Sequence, residues 1–168
     1  HLDQKQKLDY KSLRRGTFML NRNGVPSLEQ ILSRFPKSAS LTRPKAILEC
    51  YEDIPCNPCE TSCPFDAINI GSNINTQPKL DVEACTGCGI CVTSCPGLAI
   101  IVAQIKGQEA IFKIPYEFIP YPNKDEIWHG LNRKGDVICD AKIEHVSLNK
   151  KQDLQNLCSQ RRPLRKLK

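Results

Sequence analysis

The sequence predicts an α+β fold in which a cysteine-rich unit, repeated once, is preceded by a short helix and followed by a small β-module. Three observations carry the prediction. Cys56, Cys59 and Cys63, the last followed by Pro64, are spaced as Cys88, Cys91 and Cys95 are 32 residues later, and each copy runs on into an apolar, β-like segment; such an internal period sets the architecture before any single element does. Leu28, Ile31, Leu32 and Phe35 recur at the helical interval. Val137, Cys139, Ala141 and Ile143 recur at alternate positions, as on one face of a strand.

Residues 1–46 form a basic N-terminal extension whose regular element is the stretch PSLEQILSRFP. Ser27 is placed to cap this short helix, Gln30 completes a capping box and Pro36 stops it. Its apolar face is expected to pack on the cysteine-rich core, with partner binding as the sharper alternative. Residues 47–114 hold the repeat. CNPCETSCPFDAINI aligns with CGICVTSCPGLAIIV, which sets Ala67, Ile68 and Ile70 opposite Ala99, Ile100 and Val102. In each copy a ligand loop leads through a helical turn, stopped near Cys-Pro, into the apolar segment. A hairpin turning near Lys106 to Gln108 extends the second segment. Residues 115–150 open with the proline-broken connector PYEFIPYPNKDE and continue as the alternating β-module, barrel-like in outline, with a turn at Asn132 to Gly135. Residues 151–168 lose the alternation and read as a mobile basic tail.

A chain of 168 residues, 40% hydrophobic, is enough for one domain with appendages or two very small ones. Its charge is unevenly spread: residues 1–49 carry +6, residues 50–105 carry −5, residues 106–150 are neutral and residues 151–168 carry +5. A nucleic-acid reader sets its basic surface beside its recognition elements. Here the basic residues lie at the ends and aromatics make up 6%, so nucleic acid is not the expected partner and the ends read as solvated or docking arms. HLDQKQKLDY lacks an apolar export region, and no apolar run reaches the roughly 18 to 20 residues of a spanning helix. Ten cysteines without an export signal point to a reducing cytoplasm, where thiols bind metal rather than pair.

Cys85, Cys88, Cys91 and Cys95 follow C-x2-C-x2-C-x3-C-P, the spacing of a bacterial iron–sulfur run. Thiolates at such intervals on a curled loop each reach a different iron of one cubane, and in two-cluster proteins the Cys before Pro serves the other cluster. Cys85, Cys88, Cys91 and Cys63 are therefore candidates for one [4Fe–4S] cluster, and Cys56, Cys59 and Cys95 for three corners of a second. Zinc is the alternative that C-x2-C pairs raise, but zinc ribbons use two separated pairs rather than this run, twice. The position equivalent to Cys85 in the first copy is Asp53. The missing ligand is Cys50, three residues too early, or Asp53 itself, or nothing, which leaves a three-iron or labile cluster. Cys50 is preferred because thiolate suits iron–sulfur chemistry better than a hard carboxylate, although ILEC also reads as an apolar strand with a buried cysteine. Cys139 is expected inside the β-module and Cys158 to be incidental. Without a phosphate loop, nucleophile elbow or flavin or nicotinamide fingerprint, the chain is expected not to catalyse chemistry alone.

Residues 50–102, through CTGCGICVTSCPG and CNPCETSCPF, resemble bacterial-type two-cluster ferredoxins. The resemblance implies a ferredoxin-like, pseudo-twofold β-α-β fold with two [4Fe–4S] clusters near each other. More broadly, ECYEDIPCNPCE, CTGCGICVTSCPGLAI, PYEFIPYP and NRKGDVICDAKIEHV are similar in arrangement to the iron–sulfur subunits of FAD-dependent amino-acid or amine dehydrogenases of the proline, hydroxyproline and sarcosine type in anaerobic bacteria. That resemblance implies a hetero-oligomeric subunit relaying single electrons between a flavoprotein and a further acceptor. A diffusible ferredoxin and a redox-sensing binding module are the alternatives. Gly87 and Gly89 admit N–H donors to sulfur in one loop, whereas Pro55 and Pro58 remove them from the other, so the Cys56/Cys59 cluster is expected to have the lower potential.

Overall fold

The computed structural model describes residues 24–147 and the main chain of residues 156–163. Helix α1 (Leu28–Arg34) begins at the expected capping box: Ser27 Oγ accepts from the Gln30 N–H at 3.2 Å, and Gln30 Oε1 accepts from the Ser27 N–H at 2.7 Å. Its apolar face is only half covered. Phe35 packs with Leu41, Ile47 and Ala103, but Leu28 and Leu32 are 70% and 64% exposed and Gln30 is the buried residue. Periodicity fixed which residues share a face; the body that meets the face reaches only its C-terminal end.

A 3-10 turn (Ser38–Thr42) leads into strand β1 (Lys45–Leu48), buried along its whole length. The first cysteine run carries the short helix α2 (Pro58–Thr61), where Pro58 costs no hydrogen bond because the first helical N–H groups have no intrahelical acceptor. Strands β2 (Ile68–Asn69) and β3 (Lys79–Leu80) follow, then helix α3 (Ile90–Ser94) in the second run and strand β4 (Ile100–Lys106). The pairing links the two copies. Antiparallel β1 and β4 set Leu48 opposite Ile100, and antiparallel β2 and β3 set Ile68 opposite Leu80. Beyond them the Glu49 N–H donates to Ala99 O at 2.7 Å, and the Asp81 N–H donates to Ala67 O at 2.8 Å. Each copy's apolar strand is thus closed by the strand that precedes the other copy's cysteines. Ala67, Ile68 and Ile70 share one buried core with Ile100 and Val102, and with Val92 of α3. Each fully buried Ile or Val contributes about 1.5–3 kcal/mol.

Strand β5 (Glu109–Tyr116) completes the hairpin, with Lys106 opposite Glu109 and Gly107 at φ +63° in the two-residue loop. Strands β6 (Ile127–Leu131) and β7 (Val137–Ser147) flank the expected turn, in which the Gly135 N–H donates to Asn132 O at 3.1 Å. Of the predicted inward face of β7, Cys139, Ala141 and Ile143 are buried, while Val137, beside the turn, is 59% exposed.

The C-terminal part departs from the sequence reading. Asn156–Pro163, within the stretch read as a basic tail, form strand β8, which pairs with β5 on one side and β7 on the other. One six-stranded antiparallel sheet therefore runs β1-β4-β5-β8-β7-β6, and the β-module continues the sheet of the cysteine-rich repeat rather than closing a barrel. An interior strand takes its conformation from main-chain bonds on both edges, so NLCSQRRP needs no apolar alternation to adopt it. The expected bounds 46/47 and 114/115 fall inside β1 and β5, respectively. The ends of the expected N-terminal extension and tail (residues 1–23 and 164–168), residues 148–155 and the Cys158 side chain lie outside the described residues. Across the chain, Arg133 in the β6–β7 turn pairs with Glu49, just past β1.

Candidate metal centre

Eight of the ten cysteines are brought into two groups of four. Cys63, Cys85, Cys88 and Cys91 line one cavity, and Cys50, Cys56, Cys59 and Cys95 line another. The segment after β3 shapes the first. Asp81 Oδ1 accepts from the N–H groups of Glu83 and Ala84 at 2.9 and 3.2 Å, and the Cys85 N–H donates to Asp81 O at 3.1 Å, a single turn that delivers Cys85. The Ala46 N–H of β1 then donates to Cys85 Sγ at 3.4 Å. Gly87, at φ +67°, lies so close to β1's entry that an added Cβ would be 2.4 Å from Pro44 O. Gly89, at φ +96°, caps α3, which carries Cys91. The two Cys-Pro corners are built alike: the Ala67 N–H donates to Cys63 Sγ and the Ala99 N–H to Cys95 Sγ, both at 3.4 Å.

Cys50 reaches the second cavity because the β1–β4 pairing continues through Glu49 and Ala99, so the chain leaves β1 alongside the segment that follows Cys95. The turn that delivers Cys85 has no counterpart at Asp53, which is exposed and is not among the residues lining either cavity.

Burial, and after it the neighbouring thiols, opposes the ionisation of Cys50, Cys59 and Cys91. Burial first, then the neighbouring Cys95, pushes the Cys50 thiol above its ordinary value. Burial, followed by Cys95, pushes Cys59 up to about 11. Burial, followed by Cys85, Cys88 and Cys63, pushes Cys91 up to about 12. Cys50, Cys59 and Cys91 therefore ionise more readily when a cation holds them, the situation of a metal centre. Among the described residues no group of three or more His, Cys, Asp or Glu is gathered as a site for one metal ion. The thiols instead ring cavities, a donor set that fits a multi-iron cluster whose corners are spread apart.

Main-chain donors reach sulfur in both groups: Ala67 and Ala46 donate to Cys63 and Cys85 in the first, and Ala99 donates to Cys95 in the second. All three donors lie outside the glycine and proline loops. Lysine marks the difference instead, and no motif signalled it. Lys45 Nζ, on a buried side chain, donates to Val82 O at 2.6 Å and Cys85 O at 2.7 Å, and Lys113 Nζ donates to Gly87 O at 3.0 Å. Cys139 is buried in β7, away from both cavities' lining, and His129 is exposed beside Asp140.

Residues 54–99 match the 4Fe-4S dicluster domain family. That match implies two [4Fe–4S] clusters, held in a ferredoxin-type domain of the kind that serves iron–sulfur electron transfer. Among curated proteins, it is 47% identical over 55 residues to a subunit of the Na(+)-translocating ferredoxin:NAD(+) oxidoreductase complex of Acetobacterium woodii, covering 33% of this chain and 16% of that one. It is 38% identical over 58 residues to the ferredoxin-type protein NapF of Haemophilus influenzae, covering 33% of each, and 38% identical over 52 residues to NapF of Escherichia coli, covering 30% of this chain and 32% of that one. The chain thus spans a third or less of the length of these relatives. No solved structure matches it. Among the described residues no helix is long and apolar enough to cross a membrane.

Proposed function

We propose that this chain relays single electrons through its two clusters, as a bound subunit between a flavoprotein dehydrogenase and a further acceptor. The observation that carries the reading is the sorting of eight thiols into two cavities. In this reading Cys63, Cys85, Cys88 and Cys91 hold one cluster and Cys50, Cys56, Cys59 and Cys95 the other, each Cys-Pro corner serving the neighbouring run. The matching strand pairings and the matching Ala67 and Ala99 hydrogen bonds support a pseudo-twofold relation between the copies.

When bound, each cluster takes up and gives back one electron without making or breaking bonds. The chain's own residues hold the thiolates rigidly, keep water from them with Ile68, Val92 and Ile100, and donate main-chain N–H groups to sulfur, which lowers the cost of added negative charge. Cys88, exposed at the surface, is the point at which electrons pass to or from a partner. In this reading the chain works in the reducing cytoplasm as a carrier rather than a catalyst. Membership of a complex draws support from the named role of the Acetobacterium woodii relative as a complex subunit. The flavoprotein rests on the resemblance of arrangement to amine and amino-acid dehydrogenase subunits.

Tagged protein purified anaerobically tests the reading. It predicts two reduced EPR signals, each integrating to one spin per chain, and one co-purifying partner whose spectrum contains flavin. A monomer that reduces several unrelated proteins equally well would make it a diffusible ferredoxin instead.

A further inference from the structure

We propose that Lys45 and Lys113 make the cluster held by Cys63, Cys85, Cys88 and Cys91 the higher-potential of the two, and so the place where a single electron comes to rest. The inference rests on the ligand grouping proposed above. Both ammonium groups are fixed on the segment that delivers three of those cysteines. Lys45 projects from β1, and its side chain is 7% exposed. Its Nζ donates to the main-chain carbonyls of Val82 and Cys85, and among the described residues no carboxylate forms a salt bridge with it. Lys113 reaches over from β5 to Gly87 O at 3.0 Å and Cys88 O at 3.4 Å.

A buried cation without a carboxylate is costly unless another negative group compensates it. Thiolate-bound iron–sulfur centres supply that charge. The second cavity is arranged otherwise: Glu52 lines it, and the Arg34 guanidinium is engaged by Pro78 O and Gln77 Oε1. A carboxylate thus stands in the second cavity's lining and none in the first's, while two ammonium groups bond the carbonyls of the segment that delivers Cys85 and Cys88, a segment whose turn is capped by the single carboxylate of Asp81.

Reduction by a one-electron donor adds one electron and one unit of negative charge to the cluster, with no proton or bond exchanged. Nearby fixed cations stabilise that added charge and raise the potential. Main-chain hydrogen bonds to sulfur are present at both groups, so the lysines are what the first group has and the second lacks.

The test is a dithionite redox titration of the holoprotein followed by EPR, with iron and sulfide counted in each sample. Cys88→Ser identifies the signal of the first cluster as the one it perturbs. Lys45→Gln and Lys113→Gln are each expected to retain about eight irons and to move that signal alone to lower potential. The expected shift is about tenfold in the reduction equilibrium, about 59 mV for one electron. Lys45→Arg and Lys113→Arg should restore it, which a merely structural role would not require. Lys113 is partly exposed, so its variants keep the test open if Lys45→Gln does not fold. An unshifted potential in an iron-replete Lys113→Gln, or an equal shift of both signals, overturns the inference while leaving the ligand grouping intact. A wild-type protein with one four-iron signal instead removes the grouping on which it rests.

Discussion

Cys50 and Cys95 line the same cavity, brought together by the main-chain bond from Glu49 N–H to Ala99 O at 2.7 Å, which prolongs the β1–β4 ladder to the foot of both cysteines. In the other copy the equivalent bond, Asp81 N–H to Ala67 O, is followed by a turn that presents Cys85. In this copy the turn is missing and the thiol comes directly off the end of the strand. A cysteine displaced by three positions in sequence thus still lines the cavity.

Gly87→Ala should damage the first group specifically. The new Cβ would meet Pro44 main-chain atoms at 2.4 to 2.5 Å, at a φ of +67° that side chains rarely adopt. Main chain cannot yield as a flexible side chain does, so a loss of roughly 1–3 kcal/mol is expected. Urea unfolding of the holoprotein measures it. Gly135→Ala, in open space at φ +89°, should cost less and leave the iron content unchanged.

Thiol reactivity in iron-depleted protein should follow burial and crowding. Cys88 is exposed and should alkylate first; Cys91, pushed up to about 12, and Cys59, to about 11, should react last. Because thiolate is the nucleophile, a thiol near 12 has about a thousandfold less reactive form at pH 8 than one near 9. Raised thiol values favour the fold below the ordinary value of 9.0, and that contribution is lost as pH rises through about 11 and 12. Timed alkylation read by mass spectrometry gives the order, and a urea-unfolded control should abolish it.

Ser27→Ala removes the side-chain half of the capping box and should cost about 1 kcal/mol or less, since α1 is short and half exposed. Thermal melts measure the loss, and the iron content should not change.

Ser159→Pro tests β8. Ser159 is opposite Lys113 on β5 and His145 on β7, so a proline there faces ladder partners on both sides. A loss of about 3 kcal/mol or more follows if the strand is interior, whereas a free tail would accept the change without effect on the melting temperature.

The repeat was legible because cysteine spacing and the Cys-Pro stop are local rules, and both cavities draw on the thiols that those rules picked out. The hairpin at Gly107 and the turn at Gly135 were legible for the same reason: each needs a positive φ that glycine accepts. β8 was not, since its conformation is imposed from two sides by residues far away in sequence. Nor was the half-exposed face of α1, because Leu28 and Leu32 carry the period of a buried stripe whether or not anything covers them. Lys45 shows the limit most clearly. Next to Arg43 it reads as one more charge in a basic segment, and only the register of β1 against β4, which turns it toward Val82 and Cys85, makes it a buried cation.

The most direct measurement is an iron and acid-labile sulfide count on anaerobically purified wild type, Cys50→Ala and Asp53→Ala. The account predicts about eight irons per chain in wild type and in Asp53→Ala, with loss of iron from one cluster in Cys50→Ala. Loss in Asp53→Ala with Cys50→Ala unaffected would contradict it and make the exposed carboxylate the ligand. About four irons in all three proteins would contradict the two-centre relay itself.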